Sequence, residues 1–125
     1  MPLLLAVALA ASPTVAQMKW DRRVLVVSAP TAEDPALAEQ RRILAGWKTR
    51  AAARDLTIVE VVGYTVRGAS DSAAALRRKY HLPATFTAIL IGKDGGEKLR
   101  SGKPFPADAL EATIDAMPMR KAGQR

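Results

Sequence analysis

Three apolar runs rich in β-branched residues constrain this chain more than any other feature. They are "RRVLVVSA", "LTIVEVVG" and "TFTAILIG", each closed by a Pro, a Gly or a polar turn. Their length and boundaries predict strands at 23–28, 56–63 and 85–92. Because they are nearly continuous rather than alternating, both faces of the resulting sheet must be covered. The segments between them supply the covers. After "SAPTAEDP", Asp34 suits a helix N-cap and Pro35 the first helical position. Leu37, Gln40, Ile43 or Leu44, Trp47 and Ala51 then recur at helical spacing and predict one long helix. A shorter helix, capped by Ser70 or Asp71, would bury Ala73, Leu76 and Tyr80. The last, with Pro106 near its start, would turn Leu110, Ile114 and Met117 inward and stop at Pro118.

The predicted order is β-α-β-α-β-β-α: an α/β domain with a central mixed sheet and helices on both faces. A right-handed crossover makes the first two strands parallel, and the closing hairpin adds antiparallel ones. Such a core must hold itself together, because the chain contains no cysteine. Disulfides, thiolate metal sites, thiol redox chemistry and thiol peroxidase activity are excluded for it.

The first seventeen residues, "MPLLLAVALAASPTVAQ", read as an export signal. An uncharged apolar run from Leu3 to Ala11 precedes Ser12-Pro13 and small residues, so cleavage is expected near Ala16–Gln17. The run is far shorter than the roughly 20 residues of a membrane span. The absence of cysteine also excludes a lipid-anchored start. The expected organisation is a signal peptide at 1–17 and one domain at 18–125, periplasmic or secreted.

The net charge is +7, from 19 Lys and Arg against 12 Asp and Glu. A basic surface favours an acidic protein, a glycan or a membrane surface. The cations are dispersed and no nucleic-acid motif interrupts them, which argues against nucleic acid. The most motif-like stretch, "IGKDGGEKLRSG", lacks the Gly-Lys-Ser/Thr order and the following helix of a phosphate loop. Asp94-Gly95-Gly96 instead predicts a hairpin turn. Alternation along the strand would set Lys93, Lys98 and Arg100 on one face. With Arg120, they are the candidate binding cations.

A second candidate is a cleft at the first strand-to-helix turn, lined by Asp34, Gln40, His81 and Pro83; the competing reading gives Gln40 a structural hydrogen bond to a strand-end carbonyl and His81 a place at a loop or helix end. A hydroxyl there would need a paired base to act as a nucleophile, and His81 is the chain's single histidine. One histidine makes neither a triad nor a metal site. No metal, cofactor or catalytic residue is indicated.

"WDRRVLVV", "DPALAEQ", "RDL", "FTAILIGKDGGEKLR" and "IDAMPMR" follow one another over residues 20–120. Together they resemble the thioredoxin-like domain of unknown function of bacterial exported proteins. This is the P-DUDES group, also found in animal extracellular proteins with sushi repeats or coiled coils. The matching positions are Gly92, Lys93, Asp94, Gly95, Gly96, Lys98, Met117, Pro118, Met119 and Arg120. The resemblance implies a thioredoxin- or peroxiredoxin-like sheet outside the cytoplasm, and no catalytic residue to carry over. The function expected is a non-redox binding module with a basic surface. The alternative is a cysteine-free enzyme or small-ligand protein using the cleft near His81 and Pro83.

Overall fold

The computed structural model describes residues 12–123, so the apolar run Leu3–Ala11 lies outside the described residues. Five strands form one sheet: β1 (Arg23–Ala29), β2 (Leu56–Val62), β3 (Thr65–Arg67), β4 (Thr87–Ile91) and β5 (Glu97–Ser101), in the order β3-β2-β1-β4-β5. β1 and β2 are parallel, from Arg23 opposite Leu56 to Ala29 opposite Val62. β4 runs antiparallel to β1, with Val24 opposite Ile91 and Ser28 opposite Thr87. Every residue of β1 and β4 is buried, as their unbroken apolar runs require.

Alternate residues send these strands into two cores. Leu25, Val27 and Leu90 meet Leu37, Trp47, Leu110 and Ile114 on one side. Val24, Val26 and Ile89 meet Ala73 and Leu76 on the other. The first side is covered by α1 (Pro35–Ala45), α2 (Lys48–Ala53) and α4 (Ala107–Asp115), the second by α3 (Ala73–Tyr80). The expected α/β architecture, with helices on both faces and a closing antiparallel hairpin, is therefore present.

Several local expectations change. The predicted long helix breaks at Gly46-Trp47 into α1 and α2. Gly is a poor helix former, and Trp47 must bury its ring while its indole Nε1 donates to Glu111 Oε1 at 3.0 Å. Ser72, not Ser70 or Asp71, caps α3, its Oγ accepting from the Ala75 N–H. Pro118 does not end the last helix: α4 stops at Asp115, and Pro118 opens a further turn, α5 (Pro118–Lys121). Strand β3 has no periodic signature in three residues. It pairs antiparallel with β2, Glu60 opposite Arg67, and is followed by Gly68 at φ +93, where a Cβ would sit 2.2 Å from the Ile58 carbonyl oxygen.

The segment before β1 belongs to the fold. Val15 and Met18 pack into the α3-side core. The Val15 N–H donates to Asp71 Oδ1 at 2.8 Å, and the Ser70 N–H to the Pro13 carbonyl. A cut between Ala16 and Gln17 would take Val15 out of that core.

Candidate functional site

The sheet has two poles, and the candidate residues divide between them. At the C-terminal end of β1, Ser28, Pro30, Gly63, Tyr64, Arg77 and Pro83 line an open cleft of about 450 Å³. The Arg77 guanidinium donates to the Gly63 carbonyl and fixes the turn after β2. Tyr64 stands 97% exposed. Pro83 lines this cleft, with its preceding peptide bond trans, but the other three expected residues do not. Asp34 is the N-cap of α1, its carboxylate accepting from the Ala36 N–H at 2.8 Å. Gln40 is wholly buried: its Nε2 donates to the Phe105 carbonyl at 3.1 Å, and its Oε1 accepts from the Phe105 N–H at 2.7 Å. His81 is the left-handed C-cap residue of α3, exposed, at φ 50. The group foreseen as one cleft is thus a cap, a buried clamp, a helix end and one lining proline.

The opposite pole gathers what the sequence scattered. Asp94-Gly95-Gly96 forms the predicted hairpin turn. The Gly92 N–H donates to Gly96, the Gly95 N–H to Gly92, and Asp94 Oδ1 accepts from the Gly96 N–H at 2.9 Å. Three amides, those of Gly92, Gly95 and Gly96, are used internally, so the turn is no phosphate cradle. Lys98 closes it with Nζ 2.8 Å from Asp94 Oδ2; that bond, then the Gly96 N–H, holds the Asp94 carboxyl below its ordinary value.

The pairing of β4 with β5 slips from Leu90–Leu99 to Ile91–Glu97. At this bulge Leu99 packs against the α4-side core, while Lys98 lines the same groove as Met117. Arg100 turns the other way, donating to the Tyr80 and His81 carbonyls and to Glu97. The expected common face of Lys93, Lys98 and Arg100 is therefore divided. Lys93 is only 7% exposed, with Nζ 2.9 Å from Asp55 Oδ2. Arg120 reaches Asp115 at 3.4 Å and the Ala53 carbonyl.

Between the turn and α5 runs a groove of about 270 Å³. One wall is Gly92, Lys93, Asp94 and Lys98; the other is Met117, Pro118 and Met119; Trp20 and Arg23 complete it. Trp20 holds φ 74, a conformation costly for a bulky side chain, and its N–H donates to the Lys93 carbonyl at 2.6 Å. Its indole is 59% exposed, with Lys19 Nζ 5.4 Å from the ring centroid. Asp55, beneath the same pole, also has positive φ, at 52. Strained residues of this kind persist where the surrounding structure over-determines them, and they cluster at functional sites. Sequence reasoning did not select Trp20 or Arg23 as site residues. The only signal was their place in "WDRRVLVV", since neither belongs to a periodic stripe.

A five-stranded mixed sheet with one parallel pair, an antiparallel closing hairpin and helices on both faces defines a thioredoxin-like domain. The solved structures agree. The chain is similar to StoA from Bacillus subtilis, with 14% identity, 74% of this chain and 81% of that one covered, and TM-score 0.56. It is similar to Trxlp from Edwardsiella tarda EIB202, with 25% identity, coverages of 79% and 88%, and TM-score 0.57. It is also similar to a secreted Mycobacterium tuberculosis disulfide oxidoreductase homologous to E. coli DsbE, with 13% identity, coverages of 85% and 94%, and TM-score 0.52. Residues 14–123 match the family described as Domain of unknown function (DUF4174), and the chain belongs to that family.

Proposed function

We propose that this chain is a non-redox, extracytoplasmic binding module, and that it binds through the groove at the Trp20 pole. The finer kinship with the P-DUDES group is part of this proposal and rests on the quoted motifs. Export is supported by the apolar N-terminal run and by the secreted neighbour; the absence of cysteine supports the non-redox reading. The observation that carries the choice of groove is the exposed Trp20 indole on a left-handed backbone. It overhangs a wall drawn from two motif stretches, "GKDGGEK" and "MPM", far apart in sequence. An indole exposed at an apolar groove is a common anchor for a partner.

This reading moves the binding surface from the basic strand face to the groove beside it. Lys98 and Arg100 already bond to Asp94 and Glu97, and exposed pairs of this kind contribute little. The test is capture of partners from extracytoplasmic extract by the native domain, a Trp20→Ala variant and a Lys98→Ala/Arg100→Ala variant. A partner lost with Trp20→Ala and kept by the double variant supports the groove. The reverse pattern returns the site to the charged strand. Equal capture by all three shifts it to the cleft at Pro83 and Tyr64.

A further inference from the structure

The groove contains one group whose chemistry specifies a ligand, the Arg23 guanidinium. Arg23 is 1% exposed and lines the groove. Its Nε donates to the Met117 thioether at 3.3 Å, a weak acceptor, and its Nη1 to the Arg54 carbonyl at 2.8 Å. Among the described residues it makes no ion pair, whereas the two other buried cations, Arg54 and Lys93, pair with Asp115 and Asp55. Its Nη2 makes no hydrogen bond there either. No fully buried side-chain nitrogen among the described residues lacks a partner. Nη2 is therefore not fully buried, and Arg23 is a residue of the groove lining.

A buried charge without a counter-ion is costly, and the surroundings sharpen the cost. Burial, then the Arg120 guanidinium, lowers the Arg23 pKa, while Asp55 and Asp115 oppose that only from a distance. An arriving anion would relieve it, and the planar guanidinium favours carboxylate oxygens. Around the cation lie an indole, two methionines and a proline, surfaces suited to an aromatic or branched apolar body. The groove is slightly smaller than the roughly 300 Å³ of ordinary ligand pockets, so the ligand, or the inserted part of it, is small.

The geometry points to a carboxylate-binding site: the groove takes a carboxylate carried on an apolar or aromatic body, the anion on Arg23 Nη2 and the body against Trp20, Met117 and Met119. This rests on the groove being the binding site. The same chemistry arises in a free aromatic acid and at the C-terminus of a peptide ending in an apolar residue, and the test separates them.

The probes are 2-naphthoate with its neutral amide, and acetyl-Leu-Phe with a free or amidated C-terminus. Each is titrated into the whole domain while the Trp20 indole and Arg23 Nε–H resonances are followed by NMR. One of the two acids should bind at least ten times more tightly than its amide and shift both resonances. Which acid does so identifies the source. Trp20→Ala should weaken it at least tenfold, and Arg23→Lys, which keeps the charge and loses the planar fork, should do the same. If Arg23→Lys does not fold, the contrast of acid with amide and the Trp20→Ala variant still decide. Acid and amide binding equally in the groove would overturn the carboxylate assignment and leave the groove standing. No shift of either resonance with any of the four probes, with partner capture indifferent to Trp20→Ala, would overturn both.

Discussion

Replacing Gln40 separates a structural clamp from a ligand-lining residue, because the two roles predict opposite signs. Gln40 is the one polar side chain on the buried stripe of α1, and it bonds both backbone groups of Phe105. Gln40→Leu keeps nearly the same volume, so cavity formation contributes little. It leaves the buried Phe105 N–H and C=O without partners, at about 1–3 kcal/mol each. The apolar side chain recovers about 1 kcal/mol through its own burial. A net loss of about 1–5 kcal/mol is expected, read as a fall in urea midpoint at constant slope. The same loss lowers the melting temperature by about 4–20 °C for a domain of this size.

Gln40→Glu adds an internal check. Its carboxylate can still accept from the Phe105 N–H but repels the carbonyl that Nε2 now serves; the protonated acid can donate to that carbonyl. Burial therefore raises the folded pKa of the introduced Glu above its unfolded value of roughly 4.3. The folded state then holds more protons between the two values, so stability of this variant relative to the native chain should fall as pH rises through that window. A residue lining a ligand cleft behaves differently, since its replacement by Leu is neutral or stabilising. A Gln40→Leu midpoint within about 0.5 kcal/mol of the native value would refute the clamp.

Other outcomes follow from particular contacts. Hydrogen bonds from Arg50, then from the Trp47 indole, lower the Glu111 pKa to about 2. That stabilisation is complete above the unfolded carboxyl value and is lost as pH falls toward 2. Thermal melts of native and Glu111→Gln chains should therefore converge between pH 5 and pH 2; a gap that stays constant would show that the α2–α4 clasp does not act through this charge. Gly68→Ala combines φ +93 with a 2.2 Å approach to the Ile58 carbonyl and should cost more than about 3 kcal/mol. Gly95→Ala, at φ +83 with only the Lys19 side chain at 3.5 Å, should cost about 1–2 kcal/mol. Urea midpoints in the reverse order would contradict that reasoning. A chain beginning at Gln17 should be at least about 2 kcal/mol less stable than one beginning at Ser12, because it lacks Val15 in the core and its bond to Asp71. N-terminal sequencing of exported protein should accordingly find a start no later than Pro13; a start at Gln17 with unchanged stability would reject it.

The order of strands and helices was legible because hydrophobic period and turn chemistry are local. Asp34 with Pro35 marked the start of α1, and Asp94-Gly95-Gly96 the hairpin, since a cap and a positive φ depend on a few adjacent residues. The break at Gly46-Trp47 was only half legible: Gly46 was visible, but the need of Trp47 for Glu111, sixty-four residues away, was not. The division of Lys98 from Arg100 was hidden because it depends on a one-residue slip in pairing, and alternation assumes a regular ladder. The candidate cleft failed as a group for a related reason. A polar residue on an apolar stripe has the same spacing whether it meets a ligand or a backbone, and only packing against Phe105 decided for Gln40.

By itself, then, the sequence determined a cysteine-free α/β sheet with helices on both faces, because burial of each run depends on its own pattern. Tertiary structure decided that Trp20, Arg23, the hairpin turn and Met117–Met119 meet in one groove, and that Arg23 lies there without a carboxylate. Those facts depend on which strand ends share a pole of the sheet, and register and packing fix that across the whole chain.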